Sequence, residues 1–328
     1  MSSASPAGEH PAGAVRVRCL QNPKRHEVRA HLKDSQFVWI DYEGPSNEDL
    51  AELAKLIKLH PLTIEDAHTF RQRPKIEEYE GYMFMVVFGV DAGTESGGPL
   101  LREVHIIISG DYVVTIHRRP FAALSDLRAR YDEQEVRSEQ FLVYKILDAI
   151  TSTFIPVLTR IDDDIDELEQ SVIADADAED LQRIFSLKRD LVAMRRVVTP
   201  MRDMVIRNAD RIAALPGLET DDRLYFRDLY DGLVRVSELV DSYRDLLSGT
   251  TDMYLSTVAN RQGEINKQLT MIATIFLPLT FLTGFFGQNF GSLVRWENSQ
   301  WVFYIFGLGL LVVSVVGFGV FFRRKGWL

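Results

Sequence analysis

Short runs of alternating apolar and polar residues open the chain: VRVRC, EVRAHL and QFVWIDY, between Val15 and about Tyr42. Alternation of this kind predicts strands of a half-buried sheet. Ser46 is placed to cap a helix that carries Leu50, Leu53, Leu56 and Ile57 on one face. Pro61 suits the first turn of a short helix, and Pro74 interrupts the chain again. YMFMVVFGV, REVHIIIS and YVVTIHR predict three more strands. Ser109-Gly110-Asp111 is a hairpin turn between the last two, and GTESGGP is a surface loop between the first two. Residues 15–120 therefore read as an α/β domain.

Beyond Pro120 the strands are expected to stop, and the period becomes helical. A short helix is predicted from Phe121 to about Arg130, and a single long one from Ser138 to about Ile173. The long one carries Leu142, Ile146, Ile150, Phe154, Leu158, Ile161, Ile165 and Leu168 on its apolar face. A break falls between Asp175 and Asp180, a further helix runs from Ala178 to about Ala213, and Pro216-Gly217 marks a turn. Residues 121–220 form this helical region. From about Asp221 to Phe286 no strong stop signal appears, which makes a helix of about 100 Å at 1.5 Å per residue. Its first part, 221–268, reads as a stalk.

Hydropathy then divides the C-terminal end. Residues 269–286 and 301–322 are uncharged, about 18 and 22 residues long, close to the length that crosses hydrocarbon. Arg261 and Lys267 precede the first span, and Arg323, Arg324 and Lys325 follow the second. The loop 287–300 between them has one Arg and one Glu. The positive-inside rule places both termini in the cytoplasm of a multi-pass protein of the cell's inner (plasma) membrane, with 323–328 a basic cytoplasmic tail. Trp296, Trp301 and Trp327 stand at interfacial positions.

Two helices cannot enclose a water-filled path, so a pore requires several copies. Thr270, Thr274, Thr280 and Thr283 give the first span a polar strip that could line such a path, and hydrogen bonding to the backbone or to other helices is the alternative use of those hydroxyls. A net charge of −10 argues against nucleic-acid partners and suits cations. Cys19 is the single cysteine, so neither an internal disulfide nor a cysteine zinc cage can form. The N-terminal residues 1–14 lack a signal-peptide core and read as a disordered tail. The sequence contains no phosphate-binding Gly-rich loop and no nucleophile elbow, so the expectation is a protein that is not an enzyme and needs no cofactor.

Several separate stretches resemble the CorA family of divalent-cation transporters: HPLTIED at 60–66, QRPKIE at 72–77, YFRDLYDGL at 225–233, YRDLLSGTTDMYLS at 243–256, TMIATIFLPLTFLTGFFGQNF at 270–290 and the tail RRKGWL. The resemblance covers nearly all of Val15–Leu328. It implies a funnel-shaped homopentamer in which an α/β cytoplasmic domain precedes long stalk helices and two C-terminal transmembrane helices, the first lining the pore. It also implies transport of Mg²⁺, and of Co²⁺ or Ni²⁺, as hydrated ions. The family's Gly-Met-Asn signature stands here as Gly287-Gln288-Asn289, preceded by Phe286 where Tyr is usual. Asn289 matches the Asn of the selectivity filter, although alone it would serve equally as a helix cap. Leu269, Leu277, Thr280 and Gly284 match pore-lining positions. An inner Asn of the family falls on Gly263 and an apolar gate position on Asn266, both departures. Zinc transporters of the same architecture, some coupled to protons, share the variable middle residue and are the second reading. A membrane-anchored sensor or scaffold without transport is the third.

By motif, the family's regulatory acids, which bind Mg²⁺ between subunits and close the pore, fall on Glu65, Asp66, Asp148 and Asp228. Asp228 has Arg223 and Arg227 nearby, and an ordinary helix salt bridge is the alternative for it. The run Asp162 to Glu169 alternates with Ile161, Ile165 and Leu168 and reads first as a solvated helix face.

Overall fold

The computed structural model describes residues 15–33, 37–91, 93, 98–213, 223–288 and 300–327. The expected tail 1–14, nearly all of the loop after Gln288 and most of the loop GTESGGP lie outside them. The chain forms two units, Met1–Ser171 with Asp177–Thr251, and Val172–Ala176 with Asp252–Leu328. The expected α/β and helical regions thus belong to one compact unit, because the helices after Pro120 pack on the sheet.

Among the described residues the first unit holds seven strands: β1 (Val15–Gln21), β2 (Phe37–Glu43), β3 (Lys75–Tyr79), β4 (Tyr82–Asp91), β5 (Leu100–Ile108), β6 (Tyr112–His117) and β7 (Glu135–Val136). Their order is β3-β4-β5-β6-β2-β1-β7. The pairs β1·β2 and β2·β6 are parallel, and the others antiparallel. Ile108 pairs with Val113 across the expected hairpin, whose Ser109 N–H donates to the Tyr112 carbonyl at 2.9 Å. Around the sheet lie α1 (Arg25–His31), α2 (Asn47–Ile57), α3 (Pro61–Thr69), α4 (Ala122–Tyr131), α5 (Glu139–Ser152), α6 (Phe154–Asp175), α7 (Ala178–Ala213) and the first part of α8 (Arg223–Phe286). Ser46 caps α2 as its sequence implies: its Oγ accepts from Asp49 N–H at 3.2 Å, and Asp49 returns the bond to Ser46 N–H at 2.8 Å.

Three expectations fail for identifiable reasons. EVRAHL is part of helix α1, not a strand. Val28 and Leu32 lie four residues apart and fit either period, and the carboxylate of Glu27 accepts from Lys24 N–H at 2.8 Å to close the first helical turn. Strands do not end at Pro120, since Glu135 and Val136 add β7 antiparallel to β1. The helix expected from Ser138 to Ile173 divides at Thr153. Pro156 has no N–H, and its ring clashes with the carbonyl four residues earlier. The break is used: Thr153 Oγ1 accepts from Val90 N–H at 2.9 Å. Strand β4 continues beyond its pairing with β3, which ends at Val86. Its further donors on that edge, Phe88 N–H and Val90 N–H, go to Met201 Sδ at 3.3 Å and to Thr153. A close approach at Gly89 completes the junction, because a Cβ there would stand 2.5 Å from the Phe121 ring.

At the centre of the sheet a carboxylate is fully buried. Asp41 on β2 accepts from Thr115 Oγ1 at 2.6 Å, bonds His117 Nε2 at 3.1 Å and pairs with Arg128 of α4. Trp39 Nε1 donates to Thr115 Oγ1 at 3.0 Å. Register explains the grouping, since Asp41 faces Thr115 across the β2·β6 ladder and alternate residues share a face. Cys19 on β1, paired with Trp39, is buried, and its thiol is pushed up to about 12 by burial and by Asp132.

The second unit contains the remainder of α8, then α9 (Gln300–Val302), a π-helical stretch Phe303–Gly309 and α10 (Leu310–Arg324). Among the described residues three helical stretches are long and apolar enough to cross a membrane: Glu139–Asp175, Leu224–Phe285 and Tyr304–Arg324. In the first, 56% of the apolar window is buried inside the protein, against 0% and 6% in the others. That contrast identifies a core helix and two membrane-crossing helices. Phe322, buried at the end of α10, stacks on Trp327 with ring centroids 5.7 Å apart and fixes the start of the basic tail.

The His117–Asp41 pair predicts a pH dependence of stability. Burial lowers the His117 pKa, but the Asp41 hydrogen bond and charge and the Arg119 carbonyl outweigh it, and the net shift is upward from 6.5. A raised folded-state pKa gives stability that is full below the unfolded value and lost as pH rises through the folded one. The thermal midpoint is expected to fall as pH rises from about 6 to 8. His117→Gln should flatten that slope, as read by differential scanning fluorimetry.

Candidate functional site

The membrane part of α8 has two contrasting faces. At 100° per residue, Asn266, Leu277 and Gly284 fall within about 20° of one another, Thr280 about 40° and Leu269 about 60° further round. All five are exposed, Leu277 at 72%. On the other side Met271, Ile275, Pro278, Leu279 and Leu282 are half-buried. Leu279 and Thr283 line a cavity of about 450 Å³ with Leu311, Val312, Val315 and Val316 of α10. The second membrane helix thus covers the face of α8 opposite the expected pore-lining residues.

Each threonine hydroxyl of this segment donates to a carbonyl of its own helix: Thr270 to Asn266 at 2.8 Å, Thr274 to Thr270 at 2.7 Å, Thr280 to Phe276 at 2.8 Å and Thr283 to Leu279 at 3.0 Å. The hydroxyl proton is used inside the helix, so the oxygen is left as an acceptor. On the exposed stripe Thr280 therefore offers an oxygen suited to the outward-pointing hydrogens of a cation's hydration water. At the end of α8, Gly287 N–H donates to the Thr283 carbonyl at 2.9 Å and Gln288 N–H to Phe285 at 3.3 Å. Gly287 and Gln288 are exposed, and Asn289 lies outside the described residues.

The four expected regulatory acids separate into two pairs. Asp148 on α5 and Asp228 on α8 line one groove of about 340 Å³, together with Thr151, Ser152, Asp231 and Arg235. Asp148 pairs with Lys145 at 3.5 Å. Asp228 accepts from the Tyr144 hydroxyl at 2.7 Å, a phenol rather than the arginine that the alternative reading would pair with it. Burial, the hydrogen bond to Asp228 and the charge of Asp148 push the Tyr144 phenol above its ordinary value, which keeps it protonated and donating. Glu65 and Asp66 are on α3. Glu65 is exposed, and Asp66 Oδ2 is held by Lys75 Nζ at 2.6 Å. Among the described residues no three His, Cys, Asp or Glu side chains are grouped to hold a metal ion. Asp148 and Asp228 share a groove, whereas Glu65 and Asp66 are adjacent on one helix and do not face each other.

The sequence did not announce the roles of Lys75 and Tyr144. The signal was present in the register: Lys75, Glu77 and Tyr79 alternate along β3 and share a face. The acidic run on α6 behaves as its periodicity implies, with Ile161, Ile165 and Leu168 buried and Asp163, Asp166 and Glu167 exposed.

Residues 34–324 match the family model described as CorA-like Mg²⁺ transporter protein. The chain is 32% identical over 306 residues to the putative metal ion transporter YfjQ of Bacillus subtilis, covering 91% of this chain and 92% of that one. It is 33% identical over 300 residues to the cobalt/magnesium transport protein CorA of Thermotoga maritima, covering 89% and 83%. Among solved structures, the complete CorA magnesium transporter of Methanocaldococcus jannaschii superposes with a TM-score of 0.77 at 28% identity, over 88% of this chain and 91% of that one.

The two faces of α8 predict different water access. In the purified, membrane-embedded protein, Leu277→Cys should react with a charged, water-soluble thiol reagent at least about tenfold faster than Leu279→Cys, because a wet environment favours the reactive thiolate. Cys19 is buried and poorly ionised, so it adds little background. Mass spectrometry of the modified chain provides the measurement.

Proposed function

This chain belongs to the family of CorA-like Mg²⁺ transporter proteins, and on that premise we propose that it conducts hydrated divalent cations, Mg²⁺ first and Co²⁺ and Ni²⁺ with it, into the cytoplasm. The observation that carries this reading is the exposed stripe of α8, uncharged and opposite the face that α10 covers. Copies arranged around an axis, five by resemblance to the family, would turn that stripe into the lining of a path. Asn266, Leu269, Leu277, Thr280 and Gly284 line it, and Gly287, Gln288 and Asn289 form the filter at its outer end.

The chemistry of the lining supports a hydrated ion. Mg²⁺ releases its waters reluctantly, so amide and hydroxyl acceptors that bind those waters avoid the cost of stripping them. A dication crossing an inside-negative potential of about 100 mV gains roughly 4–5 kcal/mol, which drives uptake without chemical fuel. The basic residues before the first span and after the second put the two termini in the cytoplasm. Cytoplasmic Mg²⁺ closes the path by binding at Glu65 and Asp66 and at Asp148 and Asp228, where it neutralises acids that would otherwise repel across subunit contacts.

Two measurements test this. In liposomes holding the purified protein, Mg²⁺ entry should follow the imposed voltage, ignore a pH gradient and disappear in Asn289→Ala. Zn²⁺ entry accelerated by a proton gradient would instead favour zinc transport, and no flux from a folded oligomer would favour a sensor. Asp66→Asn combined with Asp228→Asn should raise the internal Mg²⁺ needed to halt flux by about tenfold; an unchanged inhibition curve would remove these acids from the gating scheme.

A further inference from the structure

Lys75 occupies an unusual position for a cation beside an expected metal ligand. Its Nζ lies 2.6 Å from Asp66 Oδ2 and 2.8 Å from Glu77 Oε1, and 5.6 Å above the Phe84 ring. Glu77 is held in turn by the Tyr79 hydroxyl at 2.8 Å. The side chains of Lys75 and Asp66 are 26% and 15% exposed, so the contact is shielded but reachable by solvent. Backbone geometry fixes the arrangement: β3 aims Lys75, Glu77 and Tyr79 to one face, and Asp66 stands on α3 where that face meets it. Thus two carboxylates share one ammonium.

We propose that Lys75 is a tethered competitor for the regulatory dication: its ammonium fills the Asp66 site when no ion is bound, and Mg²⁺ must displace it before the transporter closes. This rests on the reading of Asp66 as a regulatory acid. Lys75 is then a positioning residue that sets the Mg²⁺ concentration of closure. A single charge on a short tether holds the acid at low Mg²⁺ and yields to a dication at high Mg²⁺. Glu77 is the second berth: once Mg²⁺ takes Asp66, the ammonium remains paired with Glu77 through the contact it already makes. Displacement therefore leaves no half-buried cation without a partner, which keeps the exchange reversible. The product is a threshold set by competition between two cations rather than by the affinity of bare carboxylates.

The test uses the full-length protein in lipid nanodiscs, with protection from proteinase K followed over a Mg²⁺ titration. Lys75→Met should lower the Mg²⁺ midpoint by about three- to tenfold, and Lys75→Arg should restore it toward wild type. Glu77→Gln should raise the midpoint by committing Lys75 wholly to Asp66, and its effect should largely vanish in the Lys75→Met background. A simple change of local potential would instead leave the two effects additive, and additivity overturns the proposal. So does a Lys75→Met midpoint that is unchanged or higher while Asp66→Asn shifts it. If Asp66→Asn itself leaves the midpoint unmoved, it is the regulatory reading of Asp66 that fails. Should Lys75→Met not assemble, Glu77→Gln alone decides, a lowered or unchanged midpoint counting against the competitor.

Discussion

Hydrocarbon offers a backbone or hydroxyl no water to bond, and the membrane part of this protein is shaped by that constraint. Four threonines on α8 direct their protons back to carbonyls one turn earlier, so the helix absorbs its own polar groups. The same bonds leave Thr280 with an oxygen to present on the exposed stripe. Satisfying the helix and leaving an oxygen free to accept a hydrogen bond are one arrangement. The position of α10 suits the apolar character of the opposite face, where Leu279 and the valines of the second span line one apolar cavity.

Charge is handled differently in the soluble unit, where acids differ in how many partners hold them. Asp41 is bonded to Thr115, His117 and Arg128 with no exposed surface, and a carboxylate so saturated has nothing left to offer an ion. Asp66 and Asp228 each have one principal side-chain partner, an ammonium and a phenol, at the solvent boundary. Removing Arg128 would strand a buried charge, whereas displacing Lys75 moves one at the surface. Acids of the same type thus serve as a sheet anchor or, on the proposed reading, as an ion-responsive group, according to how many of their oxygens are already bound.

Much of this was legible in the chain. The long α8 followed from the lack of any stop signal over about 65 residues, and both membrane helices from uncharged length with basic flanks. The cap at Ser46 and the turn at Ser109 followed from local chemistry. Where reading failed, the information was not local. Val28 and Leu32 fit two periods, and a side-chain bond from Glu27 decided between them. The two residues of β7 are too few to form a pattern. Pro156 was visible, but its effect was to free Thr153 for a bond with a strand more than 60 positions earlier. Asp66 and Asp228 could be named from motif, yet their partners Lys75 and Tyr144 emerge only when register and helix packing bring them within reach.

The sheet has two outer strands, and neither invites extension. β3 has five residues, three of them charged, and β7 has two. Short, charged borders resist the addition of a foreign strand. Copies of this chain are therefore poorly equipped to join through a continuous sheet, whose ladder of backbone bonds would lock neighbours in a fixed register. Contacts made through side chains can loosen and re-form as charges come and go. A soluble domain bounded in this way can change its grip on a neighbour without any strand having to unzip.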